Sequence, residues 1–353
     1  MTPLSDKGLS PWQEDGLPPV GGQIAADVLG RAWRTDAGFL AVDLGGTHAR
    51  IGLVVPDAAT GKPDIAIYQV YRCAEHASLG DILRRFCREH EVRPDSLVLA
   101  CAGFVEQGVV INESLAWPVL LDSLRIEAGL ARIDVLNDFE AFAHAVGHIE
   151  KEHSCSIVDG IARADGAVAV IGPGTGLGAS LWLPGQPARV LHTEAGHMEL
   201  AARPGIEQAI RAQLGPVDGY VPYDRVLSGP GLLRLYHALA AVLDVPATLG
   251  EPGEITAMAL AGTDPLATQT VDQFCRWLGA FCGDVAIAFN ASGGVCLAGG
   301  FLARITGLLR SGPFTERFLD KGVMRAFLNN TPVFVVEHGQ LGVLGAANWR
   351  LSH

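Results

Sequence analysis

Apolar positions in this chain come in short runs broken by glycine, and two of those breaks repeat one design. Residues 39–42 are apolar and lead into Asp43; a second apolar run, residues 51–55, follows the Gly45-Gly46 break and is closed by Pro56. Two such runs about a glycine pair predict a β-hairpin. Residues 68–71 predict a third strand. Leu79, Ile82, Leu83 and Phe86 recur at i, i+3, i+4 and i+7, the spacing of one helix face. Residues 96–100 read as a buried strand that ends at Ala102-Gly103, and residues 133–136 as a strand running through Asn137-Asp138 into a helix that reaches about Gly147. Strands alternating with helices are an α/β pattern.

The second half repeats the first. Residues 167–171 predict a strand, Gly172-Pro-Gly174-Thr-Gly176-Leu-Gly178 a turn, and residues 179–183 a returning strand stopped by Pro184. Phe274, Trp277, Leu278, Phe281, Val285, Ala288 and Phe289 form one helical stripe, read as core. Residues 294–298 then form a strand into Gly299-Gly300, residues 332–336 another strand, and residues 341–349 a helix of small residues. Residues 1–37, with Pro3, Pro11, Pro18 and Pro19 and no sustained period, read as a poorly ordered extension. Residues 166–188 and 285–303 lack charge and are long enough to raise a membrane span. Glycine interrupts both, so they are expected to be buried strand and turn.

Composition sharpens this picture at three points. Glycine supplies 43 of 353 residues, about 12% against a usual share of about 7%. Acidic residues outnumber basic ones by 38 to 26, a net charge of −12, which speaks against a nucleic-acid backbone or an anionic membrane as partner. Only four lysines occur and none lies in a G-K-[ST] triplet, so a P-loop is excluded. The seven cysteines are scattered without a C-x-x-C pair and are expected as free buried thiols in a reducing cytoplasm.

Gly174-Thr-Gly176-Leu-Gly178-Ala179 satisfies the dinucleotide fingerprint as a string but fails on context. That fingerprint opens a helix, whereas Pro184 closes a hairpin here. Side-chain-poor turns hold phosphate in another way. Gly45-Gly46-Thr47 and Gly174-Thr175-Gly176 can each turn successive backbone N–H groups toward phosphoryl oxygens, and Gly299-Gly300 offers a third such turn. Asp43, at the end of the first strand, is the candidate Mg²⁺ holder, directly or through water. Asn137-Asp138 sits at a strand-to-helix junction, where an N-cap is expected whatever the function. Read functionally, Asp138 accepts the proton of a hydroxyl that attacks a γ-phosphate while Asn137 fixes the acceptor. His192-Thr-Glu194-Ala-Gly-His197 is read either as a polar pair, Glu194 and His197, hydrogen-bonding a polyhydroxyl ligand, or as a metal site through its two histidines.

Taken in order, these motifs resemble bacterial glucokinases of the non-ROK, hexokinase-type family, within the actin/Hsp70/sugar-kinase ATPases. The resemblance rests on Asp43-Leu-Gly-Gly-Thr-His-Ala-Arg50, Leu136-Asn-Asp-Phe139, Gly172-Pro-Gly-Thr-Gly-Leu-Gly178, Glu194-Ala-Gly-His197, Arg225-Val-Leu-Ser-Gly-Pro-Gly231 and Leu297-Ala-Gly-Gly300, and runs from about Phe39 to the C-terminus. It implies an α/β, two-domain actin-like ATPase fold, ribonuclease H-like, with an interdomain cleft. The small domain is expected over residues 38–148 plus 340–353, and the large one over 149–339.

The resemblance further implies ATP-dependent phosphorylation of glucose to glucose 6-phosphate with ATP and Mg²⁺ as cofactors and Asp138 as general base. Asn137, Asp138, Glu194, His197 and Asp224 are expected on the sugar. Val42, Asp43, Leu44, Gly45, Gly46, Thr47, Gly174, Thr175, Gly176, Gly299 and Gly300 are expected on the nucleotide. Asp224 stands where the family usually has a sugar-binding Glu, one methylene longer. His48 replaces the usual Asn of the first loop, and residues 112–117 depart from the family's run near the sugar. A sugar-binding regulator of reduced activity, or a kinase for a different hexose, is the alternative those departures raise. Retention of Asp138, Asp43 and both glycine loops favours catalysis. The protein is expected to be cytoplasmic, bound to neither nucleic acid nor membrane, with a homodimer as the default oligomer.

Overall fold

The computed structural model describes residues 38–353 except 113–114, 116, 150–153, 216–218 and 337–338. The expected N-terminal extension, and three positions of the divergent 112–117 segment, therefore lie outside the described residues. Strands β1 (Phe39–Leu44), β2 (His48–Pro56) and β3 (Pro63–Arg72) form an antiparallel meander. Helix α1 (Leu79–Glu89), capped by the Ser78 hydroxyl, buries Leu79, Ile82, Leu83 and Phe86 and returns the chain to β4 (Ser96–Cys101), parallel to β1. A small sheet of β5 (Phe104–Glu106), β6 (Val109–Ile111) and β7 (Val119–Leu120), then helix α2 (Leu121–Ala128), precede β8 (Arg132–Asn137), parallel to β4. The order is β3-β2-β1-β4-β8. Helix α3 (Asp138–Ala145) follows β8 without a connecting residue, and its expected last turn is a 3₁₀ turn over Val146–His148.

Strand β9 (Ser154–Val158) leads into a second sheet with β10 (Val168–Pro173), β11 (Leu177–Leu183) and β12 (Arg189–Thr193). Helices α4 (Ile206–Leu214), α5 (Gly229–Leu243), α6 (Pro252–Ala261) and α7 (Pro265–Ala288) intervene before β13 (Gly294–Ala298). Short helices α8 (Gly300–Arg304), α9 (Thr306–Ser311), α10 (Phe314–Leu319) and α11 (Arg325–Leu328) lead to β14 (Val333–Val336) and the closing helix α12 (Leu341–Ser352). The order β12-β11-β10-β13-β14-β9 repeats the first sheet's three-strand meander and two parallel neighbours, with β9 added antiparallel at the edge. This is a mixed α/β fold.

Strand alternation assigns the faces. In β1, Leu40, Val42 and Leu44 join the core cluster beneath α1, while Phe39 and Ala41 join Val343, Ala346 and Ala347 of α12. In β10, Ala169 and Ile171 face the large core around α7, while Val168 and Val170 meet Phe142 and Ala143 of α3. Helices α3 and α12 pack on each other between these faces, and Asn348 Nδ2 donates to the His144 carbonyl at 3.2 Å.

Two expectations change. The uncharged stretch 285–303 contains the last turn of α7 and all of α8 but Arg304, besides β13, because the helical stripe continues through buried Val285 and Ala286. Among the described residues no helix is long and apolar enough to cross a membrane. All seven cysteines are free, but Cys87 and Cys155 are only half-buried.

Candidate active site

The first glycine turn lies at the C-terminal end of β1, beside the ends of β4 and β8, where Leu44 aligns with Cys101 and Cys101 with Asn137. Ligands of open α/β sheets gather at that end of parallel strands. Asp43 is 4% exposed and shares the α12 face of its strand. Arg50 is its partner in the hairpin register, and the Arg50 Nη1 to Asp43 Oδ2 distance is 3.2 Å. Gly342, in the first turn of α12, lies over the same carboxylate; a Cβ there would stand 2.7 Å from Asp43 Cγ. The Gly45 N–H closes the turn on the His48 carbonyl at 3.0 Å, and Thr47 is exposed. Val42 and Leu44 were expected on the nucleotide, but their side chains are core, which leaves only their backbone for that role.

Asn137 is the N-cap of α3. Its Oδ1 accepts from the Phe139 N–H at 2.8 Å and the Glu140 N–H at 3.2 Å, which leaves its amide group free of the cap. Asp138 Oδ1 also accepts from the Phe139 N–H, at 3.0 Å. Burial, and then the charge of Asp43, push the Asp138 carboxyl up to about 6, against the opposing pull of backbone N–H groups and, last, of His192. The Asp43 charge thus acts on the Asp138 carboxyl.

The second turn is built on the β10–β11 hairpin. Gly174 N–H donates to the Gly176 carbonyl at 2.7 Å, and Gly172 and Gly178 are cross-strand partners. Both take the Phe139 ring: a Cβ on Gly172 would lie 2.6 Å from the ring, and one on Gly178 would overlap it. Gly299, with φ +134°, adopts a backbone conformation that side chains disfavour and lies against Pro173, so the third glycine pair joins the second turn.

Glu194 and His197 follow β12. His192 Nε2 is 3.1 Å from Glu194 Oε1 and His197 Nε2 is 4.0 Å from Glu194 Oε2; the Glu194 side chain is 75% exposed. The Tyr220 hydroxyl donates to the His197 carbonyl. Among the described residues no cluster of three or more His, Cys, Asp or Glu side chains could hold a metal ion. Asp224 was expected on the sugar, yet its Oδ1 accepts the Leu177 N–H of the second turn at 2.6 Å. Sequence reasoning did not assign a role to Arg50, Phe139 or Gly342. Hairpin register alone would have paired Arg50 with Asp43.

The fold and these turns define a sugar-kinase class of phosphotransferase. The sequence profile of the family described as Glucokinase matches residues 40–353, and the chain belongs to that family. It is 41% identical over 319 residues to the glucokinase-like protein of Xylella fastidiosa strain Temecula1, covering 89% of this chain and 95% of that one. It is 35% identical over 315 residues to the glucokinase of Zymomonas mobilis, covering 88% and 96%. The crystal structure of a glucokinase from an Antarctic psychrotroph superposes with TM-score 0.76 at 33% identity, over 88% of this chain and 98% of that one. A ROK glucokinase from Streptomyces griseus, in complex with glucose and AMPPNP, shares the fold at TM-score 0.59 and 22% identity.

Proposed function

We propose that this enzyme transfers the γ-phosphoryl group of ATP to the 6-hydroxyl of glucose, giving glucose 6-phosphate and ADP. The observation that carries the reading is Asp138: a carboxylate at the start of α3, with its pKa raised to about 6 by burial and Asp43, beside two glycine turns. A base in that range takes a proton near neutral pH, and phosphoryl transfer through a loose transition state asks chiefly for orientation.

The turns suit a polyphosphate. Beyond its chain neighbours, a Cβ on Gly45 meets only the His48 carbonyl of its own turn, at 3.7 Å, one on Gly174 only the Gly176 carbonyl of its own turn, at 3.9 Å, and one on Gly300 nothing within 4 Å outside its own helix. The backbone of Gly45, Gly46 and Thr47, of Gly174, Thr175 and Gly176, and of Gly299 and Gly300 would hold the nucleotide. Asp43, buried and braced by Arg50, would hold Mg²⁺ directly or through water, and the bound metal would neutralise charge on the phosphates. This explains how an acidic, lysine-poor protein handles ATP: backbone N–H groups replace a basic surface.

On the acceptor side, Asn137 offers its amide group while its Oδ1 keeps the cap. Glu194 accepts from sugar hydroxyls and His197 donates or accepts. Asp138 takes the hydroxyl proton as the sugar oxygen bonds to the γ-phosphorus and the bond to ADP breaks. The repeated sheet order supports the two-domain, ribonuclease H-like reading, with residues 38–148 plus 340–353 as the small domain and 149–339 as the large. A fold-mate that binds glucose and AMPPNP together supports nucleotide use, and free thiols support a cytoplasmic setting.

A coupled assay of the purified protein with MgATP and a panel of hexoses tests the reading. Glucose is expected to turn over fastest; absence of phosphorylation of every hexose overturns it.

A further inference from the structure

Asp224 occupies a position from which the family resemblance directs a carboxylate at the sugar. The hydrogen bonds around it run to the other substrate's loop. Its Oδ1 accepts the Leu177 N–H at 2.6 Å, at the point where the second glycine turn becomes β11. A Cβ on Gly176 would lie 2.8 Å from the same oxygen, so the glycine opens the space through which the carboxylate enters.

The backbone that carries Asp224 is fixed on both sides. Before it, Tyr223 is 2% exposed and its N–H donates to the Met198 carbonyl at 3.0 Å. After it, the Ser228 hydroxyl donates to the Asp224 carbonyl at 3.0 Å and accepts the Gly231 N–H at 3.1 Å as the cap of α5. One residue on, the Gly229 N–H donates to the Gly174 carbonyl at 2.8 Å. Residues 224–229 thus clasp the turn at both ends, Gly174 through Gly229 and Leu177 through Asp224.

A turn containing two glycines has much backbone freedom to lose when it docks a phosphate, and a clasp removes that freedom in advance. We propose that Asp224 is a positioning residue for the phosphoryl donor: its carboxylate sets the Gly174–Leu177 turn for the nucleotide and is not a ligand of the hexose. The shorter side chain fits this role. A Glu on the same anchored backbone would carry its carboxylate past the Leu177 N–H.

The inference rests on the kinase reading, and wild-type turnover separates the two. Steady-state kinetics with MgATP and glucose varied in turn, calorimetric binding of ADP and of glucose, and hydrogen exchange of the peptide spanning the turn are measured for wild type, Asp224→Ala, Asp224→Asn and Asp224→Glu. Asp224→Ala is expected to raise KM for ATP and Kd for ADP about tenfold, the scale of one hydrogen bond to a charged group, with glucose Kd within about twofold. Exchange at the turn quickens without any ligand. Asp224→Asn keeps an acceptor oxygen and stays within about threefold of wild type for ATP, while Asp224→Glu resembles the alanine variant. If wild type turns over and the alanine variant loses glucose affinity with ADP affinity and exchange unchanged, this inference falls and the sugar-ligand role stands. A wild type that phosphorylates no hexose overturns the parent reading instead, while the exchange comparison still decides whether Asp224 orders the turn.

Discussion

The ring of Phe139 lies so close to the backbone of Gly178 that a Cβ at position 178 would overlap its Cδ2, and Phe139 directly follows Asp138. The glycine pair Gly172 and Gly178 is thus a socket for the residue next to the proposed base. Gly178→Ala is expected to destabilise by about 1–3 kcal/mol, the range for overpacking, and to lower kcat at least tenfold by displacing Asp138. Urea unfolding and turnover measure both. In a Phe139→Ala background the same substitution should cost much less stability; an unchanged cost would show that the ring is not what the glycine accommodates.

Asp138 should mark the enzyme's pH profile. Its carboxyl is raised to about 6 from an ordinary value of 3.8. The base must be ionised to accept a proton, so kcat/KM for glucose should fall about tenfold per unit below pH 6. Asp138→Asn should lower kcat by about 10²-fold or more while calorimetry still detects glucose binding. Retained turnover would mean that another group is the base.

The same shift has a consequence for stability, with a definite sign. A carboxyl whose folded value lies above its unfolded one is ionised at a cost to the folded state above pH 6, and at no cost below the unfolded value. Asn imitates the neutral acid. Asp138→Asn should therefore raise Tm by at least about 2 °C at pH 7.5 and leave it unchanged near pH 3.5. A gain of equal size at both pH values would remove ionisation as the cause.

Local signals made part of this legible before any coordinates. The α1 stripe, both glycine hairpins and the cap at Asn137 are each written within a few neighbouring residues, and each forms where its pattern lies. Contacts that cross the molecule are not written that way. Phe139 and Gly178 meet because α3 lies on the second sheet, and Asp224 reaches Leu177 across 47 positions because α5 is tied to the hairpin. Between β12 and α7 the chain gave no usable period: α5 is apolar over much of its circumference, and α6 buries only Ile255, Thr256 and Ala259. Strand alternation would have shown that Val42 and Leu44 point into the core, since Asp43 between them faces the other way.

Asn137 carries two duties that substitution can separate. Its Oδ1 caps α3, and its amide group is what the proposed sugar contact uses. Asn137→Asp keeps the capping oxygen and loses the amide donors, so Tm should hold while KM for glucose rises about tenfold. Asn137→Ala loses both and should also cost about 1 kcal/mol of stability. Equal kinetics for Asn137→Asp and wild type would leave the residue a cap only.

The closing helix couples both carboxylates through two glycines on one face. Gly345 lets α12 approach α3 until a Cβ there would overlap the Ala141 carbonyl, and Gly342, three residues earlier, admits the Asp43 carboxylate. Gly345→Ala must spread the two helices, with about 1–3 kcal/mol lost and kcat reduced, because α3 begins with Asp138 and α12 begins over Asp43. Gly342→Ala presses first on Asp43. It should weaken KM for MgATP and the Mg²⁺ dependence of turnover by about tenfold, with glucose binding by calorimetry unchanged. Loss of glucose affinity in Gly342→Ala would mean that the first turn of α12 acts on the acceptor side of the site.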